Sequence, residues 1–135
     1  MLTPEDIKAK KSKHEMISMI TAYDFAFANI AEAAGIDQIL VGDSLANTML
    51  GYKSTREIGM TEMLIFTAAV CRGAPNTHVV ADMPYLSDKD PQTAYDNARR
   101  LMDVGASSVK IEGTPAGVLE FLHEKGIPVC GHLGL

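Results

Sequence analysis

Asp43, Asp82 and Glu112 each sit at the end of a short apolar run, in VGDS, HVVAD and VKIEG. Ser44, Lys110 and His132 stand at the same kind of position. Apolar runs of this length that stop at polar or Gly residues read as buried strands, so the six side chains are delivered at strand tips. Carboxylates that converge without a cation repel one another and become harder to ionise; a divalent ion between them removes that cost. Ligation by oxygen alone predicts magnesium or a similarly hard ion. Such an ion keeps open positions for an oxygen-bearing substrate and polarises a carbonyl. Each acid taken singly is equally well a helix cap or a solvated loop residue. Asp43 and Asp82 at matching strand ends favour a site. Lys110 and Glu112 are two residues apart and so share a strand face, where a local ion pair of little energetic weight would also account for them. His132, alone between Gly131 and Leu133, reads more readily as a satisfied core or loop histidine than as a catalytic one.

The elements that must position these residues follow a β/α rhythm. Thr3, Pro4, Glu5 and Asp6 spell a helix start, with a cap, a proline at the first helical position and acids in the first turn. MISMITAYD reads as a strand and FAFANIAEAAG as a helix closed by Gly35. QILVGD is a second strand, followed by a long connection from about Ser44 to Gly59 and the helical TEMLIFTAAVCRGA. HVVAD, SSVKIEG and IPVCGHLGL are three further strands. Between them lie a helix started by Asp90 and Pro91 and another started by Thr114 and Pro115. The strands are apolar on both faces and recur at the spacing of a βα unit, which predicts a parallel sheet. In such folds the ligand site gathers at the C-terminal strand ends, where the six residues lie.

Composition narrows the function classes. The chain has 135 residues with 12 Lys and Arg against 17 Asp and Glu, a formal net charge of −5, and no aromatic-spaced basic stripe, so nucleic acid is disfavoured as a partner. The apolar stretches are broken before the roughly 20 residues a membrane helix requires. The charged beginning MLTPEDIKAKKSKHEM lacks the apolar core of a secretory signal, which predicts a cytoplasmic protein. Cys71 and Cys130 have no metal-ligand or disulfide spacing and read as small buried hydrophobes in a reducing compartment; the eight methionines read as core filler. His14, His78 and His123 show no partner pattern.

The strand ends, in order, read TAYD, VGDSL, CRGAPN, ADMPY, VKIEG and PVCGHLGL, and from about Ile17 to Leu135 they resemble the ketopantoate hydroxymethyltransferase family. The resemblance implies a (β/α)8 TIM-type barrel. Eight units need roughly 250 residues, so residues 1–135 are expected to be the N-terminal part of one barrel domain, with about its first five strands and four helices. It also implies transfer of a hydroxymethyl group from 5,10-methylenetetrahydrofolate to 3-methyl-2-oxobutanoate. The product, 2-dehydropantoate, leads to pantothenate and coenzyme A, and the reaction runs through a magnesium-stabilised enolate. By motif, Asp43, Asp82 and Glu112 resemble the metal acids. Asp43, Ser44, Asp82 and Lys110 resemble the residues that contact the keto acid, with His132 behind them in support. The general base of the family is a glutamate of the second half, so no residue here inherits that role. A cytoplasmic homo-oligomer, decameric in the family, is implied as well. Two stretches depart from the family pattern: Ala46 replaces a glycine, and REIGMTEM replaces an apolar-Pro-Val-Thr segment. Two other readings fit the same residues. One is a metal-dependent 2-oxo acid lyase of the phosphoenolpyruvate and isocitrate lyase type; the other is a non-catalytic half-barrel.

Overall fold

The structure is a computed structural model and describes residues 1–113, 115 and 117–134. Pro4–Ser12 forms α1, and its start is the expected one: the Thr3 hydroxyl accepts from the Asp6 N–H at 3.1 Å while the Asp6 carboxylate accepts from the Thr3 N–H at 2.9 Å. The strands are β1 (Met19–Thr21), β2 (Gln38–Val41), β3 (His78–Asp82), β4 (Ser108–Glu112) and β5 (Val129–His132). They pair in the order β1-β2-β3-β4-β5, and every pairing is parallel. Strands that follow chain order without reversal are the arrangement of a (β/α) barrel, whereas a doubly wound sheet changes direction at a switch point. The chain is a partial barrel of that type.

The connecting helices are α2 (Phe25–Ala33), the short α3 (Leu45–Thr48), α4 (Met60–Gly73), α5 (Pro91–Asp103) and α6 (Val118–Glu124). Asp24 caps α2 by accepting from the Phe27 N–H at 2.8 Å, and Asp90 caps α5 by accepting from the Thr93 N–H at 2.8 Å with Pro91 next in line. Strand residues divide by alternation. Ile39, Val41, Val79, Ala81, Val109 and Ile111 join the buried cluster with the helices, including Met63, Val70, Leu101 and Leu122. Their neighbours Leu40, Val80, Asp82, Ser108 and Lys110 face the other way, into the barrel. The α2–α4 crossing is tight at Gly73, where a Cβ would collide with the Phe25 carbonyl and come within 3.0 Å of the Ala28 Cβ.

The structure departs from the sequence expectations at several points. The first strand begins at Met19 rather than Met16, because Ser18 is held sideways: its N–H and hydroxyl both reach Asp37 Oδ2, at 2.8 and 3.0 Å. The long connection from about Ser44 to Gly59 is present and contains α3 and a 3-10 turn at Thr55–Glu57. The last helix starts at Val118, three residues after Pro115, and the expected cap Thr114 lies outside the described residues. The two thiols are free and half-buried rather than fully buried, and Met16, Met19 and Met49 are exposed while Met63 is core.

Candidate active site

β3 and β4 are registered so that Asp82 lies opposite Lys110. The Lys110 ammonium donates to Asp82 Oδ1 at 2.7 Å and to Glu112 Oε1 at 3.2 Å. The other Asp82 oxygen accepts from the backbone N–H of Asp43 at 3.0 Å, which ties the tip of β2 to the tip of β3. Gly42 stands beside this bond: a Cβ there would press on Ser44 Oγ at 3.0 Å and meet Asp82 Oδ2 at an ordinary contact distance of 3.4 Å. Ser44 Oγ and the Tyr23 hydroxyl share a 2.7 Å hydrogen bond, so β1 contributes through a residue two positions beyond its end. His132 Nδ1 lies 3.2 Å from Glu112 Oε1 at the end of β5. Thus all six residues singled out in the sequence stand on one rim, five of them in a continuous chain of contacts from Asp43 to His132 and Ser44 beside it.

Asp43, Asp82, Asp88, Glu112, Lys110 and Arg56 line a cavity of about 330 Å³ at this rim. Burial, and then the negative charge of Asp82, push the Asp43 carboxyl above its ordinary pKa, with Thr55 and Lys110 offsetting part of the effect. Asp88 is raised chiefly by burial. Burial works against the charge on Lys110, but its bond to Asp82 and the charges of Asp82 and Glu112 outweigh it and raise its pKa. Glu112 is lowered by the bond from Lys110 and by His132. Within the cavity, Asp43 and Asp88 are in no ion pair among the described residues, and both have their ionisation penalised, Asp43 with the charge of Asp82 adding to burial.

Hard oxygen donors at neighbouring strand tips fit a divalent ion in kind, and the repulsion between Asp43 and Asp82, second to burial in raising Asp43, is of a kind that a cation between them would relieve. As placed, however, no three His, Cys, Asp or Glu side chains among the described residues are gathered closely enough to enclose a metal ion. Glu112 is turned to Lys110 and His132, with its side chain 73% exposed. The sequence reading missed five contributors here: Tyr23, Thr55, Arg56, Tyr85 and Asp88. Arg56 lies over the Tyr85 ring, 4.6 Å from its centre, and both belong to the loops above the cavity. Only Tyr23 carried a signal, its place after the first strand in TAYD.

A larger cavity, about 610 Å³, lies at the opposite strand ends beneath α1. His78 there is buried and already satisfied, with Nδ1 3.0 Å from the Leu2 carbonyl and Nε2 2.9 Å from Ser108 Oγ. Half-burial pushes the Cys71 thiol up to about 11, which makes it a poor nucleophile. The ionisable chemistry is concentrated at the smaller, C-terminal cavity.

Sheet order and strand-tip cluster together define a barrel-type α/β chain with an acid-and-lysine site at the C-terminal rim. Solved structures superimpose on it accordingly. Phosphonopyruvate hydrolase in complex with oxalate and Mg++ does so with a TM-score of 0.77 and 14% identity, covering 98% of this chain and 53% of that one. The 2,3-dimethylmalate lyase of the PEP mutase/isocitrate lyase superfamily gives a TM-score of 0.69 and 16% identity, with 98% and 53% covered. A family model described as ketopantoate hydroxymethyltransferase matches residues 1–135. The chain belongs to that family. The 3-methyl-2-oxobutanoate hydroxymethyltransferase of Kosmotoga olearia is 55% identical over 122 residues, covering 88% of this chain and 46% of that protein. The one of Thermotoga neapolitana is 54% identical over 134 residues, covering 97% and 49%. The chain therefore spans about half the length of the curated relatives it matches. Among the described residues, no helix is long and apolar enough to cross a membrane.

Proposed function

We propose that this chain supplies the 2-oxo acid side of a hydroxymethyltransferase. The reaction moves a one-carbon unit from 5,10-methylenetetrahydrofolate to 3-methyl-2-oxobutanoate and yields 2-dehydropantoate, in the direction of pantothenate and coenzyme A. The observation that carries the reading is the Asp43–Asp82–Lys110 linkage at the tips of β2, β3 and β4, which lines the cavity with acids and one ammonium. Family membership supports it, as does the oxalate and Mg++ complex of the structural neighbour, a two-pronged anion with a hard ion.

In this reading Asp43, Asp82 and Glu112 would hold magnesium, which when bound supplies positive charge to stabilise the enolate oxygen that develops when C3 loses its proton. Lys110 offsets the carboxylate charge so that an organic anion is admitted. Ser44 donates a hydrogen bond that orients the keto acid, and Tyr23 fixes the Ser44 hydroxyl in place. His132 restrains Glu112. The proton acceptor at C3 is assigned to no residue of 1–135. Cytoplasmic location and homo-oligomeric assembly belong to the same reading.

The test is calorimetric titration of the 135-residue chain with 3-methyl-2-oxobutanoate, with and without magnesium, followed by assay with 5,10-methylenetetrahydrofolate. Magnesium-dependent binding is expected, and absence of binding overturns the reading. Binding without turnover supports a half-site that needs further residues for the proton step. Cleavage of a 2-hydroxy diacid in place of folate-dependent transfer would establish the lyase alternative that the fold also accommodates.

A further inference from the structure

The cavity holds two cations, and they are differently engaged. Lys110 is committed, with its ammonium bonded to both Asp82 and Glu112. Arg56 lines the same cavity from the loop after β2, yet among the described residues its guanidinium is in no ion pair. It is not loosely placed. The 3-10 turn that carries it is locked by Ser54, whose hydroxyl accepts from the Arg56 N–H at 3.2 Å, and by Glu57, whose carboxylate accepts from the N–H groups of Lys53 and Ser54 at 3.0 and 2.9 Å. Its guanidinium lies over Tyr85, which is half-exposed on the loop after β3. A guanidinium held over a ring face keeps the N–H groups along its own edge available, which suits a planar, two-oxygen acceptor.

We infer that Arg56 is a carboxylate-recognition residue at the mouth of the cavity, with Tyr85 as the platform that orients it. This rests on the proposed function. Under that reading two ligands bring carboxylates, the 2-oxo acid and the glutamyl end of the folate, and the chemistry at Arg56 is the same for either. Arg56 lies in the REIGMTEM stretch where this chain departs from the family pattern, so the recognition would be a property of this sequence.

The experiment measures affinities of the full 135-residue chain, in magnesium, for 3-methyl-2-oxobutanoate and its neutral amide, and for tetrahydrofolate and a tetrahydropterin lacking the glutamyl group. Wild type is compared with Arg56→Leu, Arg56→Lys and Tyr85→Leu, and circular dichroism confirms folding of each. Arg56→Leu is expected to lower affinity for the acid about 10-fold to 100-fold, the range for a charge-assisted bidentate contact, while leaving the neutral counterpart unchanged. Arg56→Lys should recover part of the loss, because an ammonium retains charge without the fork. Tyr85→Leu should weaken the discrimination by a smaller factor. Which ligand pair shows the effect identifies the carboxylate. If wild type binds and Arg56→Leu keeps the same acid-to-neutral ratio for both pairs, the inference falls while the proposed function stands. If wild type binds neither acid, both fall.

Discussion

Lys110 and Asp82 meet at 2.7 Å across the β3–β4 pairing, with side chains only 14% and 8% exposed, while Asp82 turns its second oxygen to the Asp43 N–H. Replacing Asp82 by Ala therefore leaves a poorly hydrated ammonium with only its longer contact to the exposed Glu112, at 3.2 Å, and leaves the Asp43 N–H unpaired. The expected stability cost is about 3 kcal/mol, the range for removing one partner of a buried pair, and magnesium-dependent keto acid binding should be abolished. Asp82→Asn separates the effects: its amide oxygen can keep the bond to Asp43, so stability should recover partly while binding does not. Urea denaturation and titration calorimetry read the two quantities, and undiminished affinity in either variant removes Asp82 from the site.

The Tyr23 hydroxyl holds Ser44 at 2.7 Å in a half-buried position. Tyr23→Phe keeps the ring and deletes that one bond, so a stability loss of about 1 kcal/mol is expected. Because Ser44 then rotates more freely, keto acid affinity should drop severalfold with no change in magnesium requirement. Equal affinity for the two proteins would mean that Ser44 needs no such restraint.

At the other end of β2, Asp37 accepts from Lys10 at 2.8 Å and from the Ser18 N–H at 2.8 Å, and the Lys10 bond first, then Ser18, holds its pKa below the ordinary aspartate value against the opposing effect of burial. A carboxyl that is more acidic folded than unfolded binds fewer protons in the native state. Its contribution is thus present above the unfolded pKa of about 4 and is lost as pH falls through the lower folded value. Asp37→Asn should be less stable than wild type at pH 7, and the gap should close toward pH 3. Denaturant midpoints at the two pH values decide it; a gap that stays constant would show that the carboxylate charge is not the stabilising element.

Much of this was legible in the sequence because it depends on local rules. Caps at Thr3 and Asp90, proline at the first helical turn and apolar runs ending in acids specify elements one at a time, and parallel strands at βα spacing then bring the acids to one rim. What was not legible depends on contacts between residues distant in sequence. The Asp43 N–H to Asp82 bond joins positions 39 apart, and the stacking of Arg56 on Tyr85 needs two loops to meet. His78 looked solitary because its partners are the Leu2 carbonyl and Ser108. The start of the first strand was misjudged for a related reason: Met16 and Ile17 have strand-like composition, but the bond of Ser18 to Asp37 sets where pairing begins.

Gly73 packs its bare Cα against the first turn of α2, and a methyl group there has no room beside the Phe25 carbonyl. Backbone cannot step aside as a flexible side chain can, so the two helices must separate. Gly73→Ala should destabilise by about 1–3 kcal/mol despite alanine's better helix propensity. The denaturation midpoint is the measure, and a stabilised variant would mean that the crossing relaxes freely.

Gly42 plays the corresponding part at the site. An added Cβ would press on Ser44 Oγ at 3.0 Å and approach Asp82 Oδ2 at 3.4 Å. The serine hydroxyl is the softer of the two, since it can rotate, but rotation breaks its bond to Tyr23, whereas Asp82 is held by Lys110 and the Asp43 N–H. Gly42→Ala is therefore expected to act mainly through Ser44: a severalfold loss of keto acid affinity with stability changed by about 1 kcal/mol. Combined with Tyr23→Phe, the loss should be less than the product of the two single effects, because the same hydroxyl is freed in both. A double variant whose losses multiply fully would show that the glycine acts through Asp82 instead.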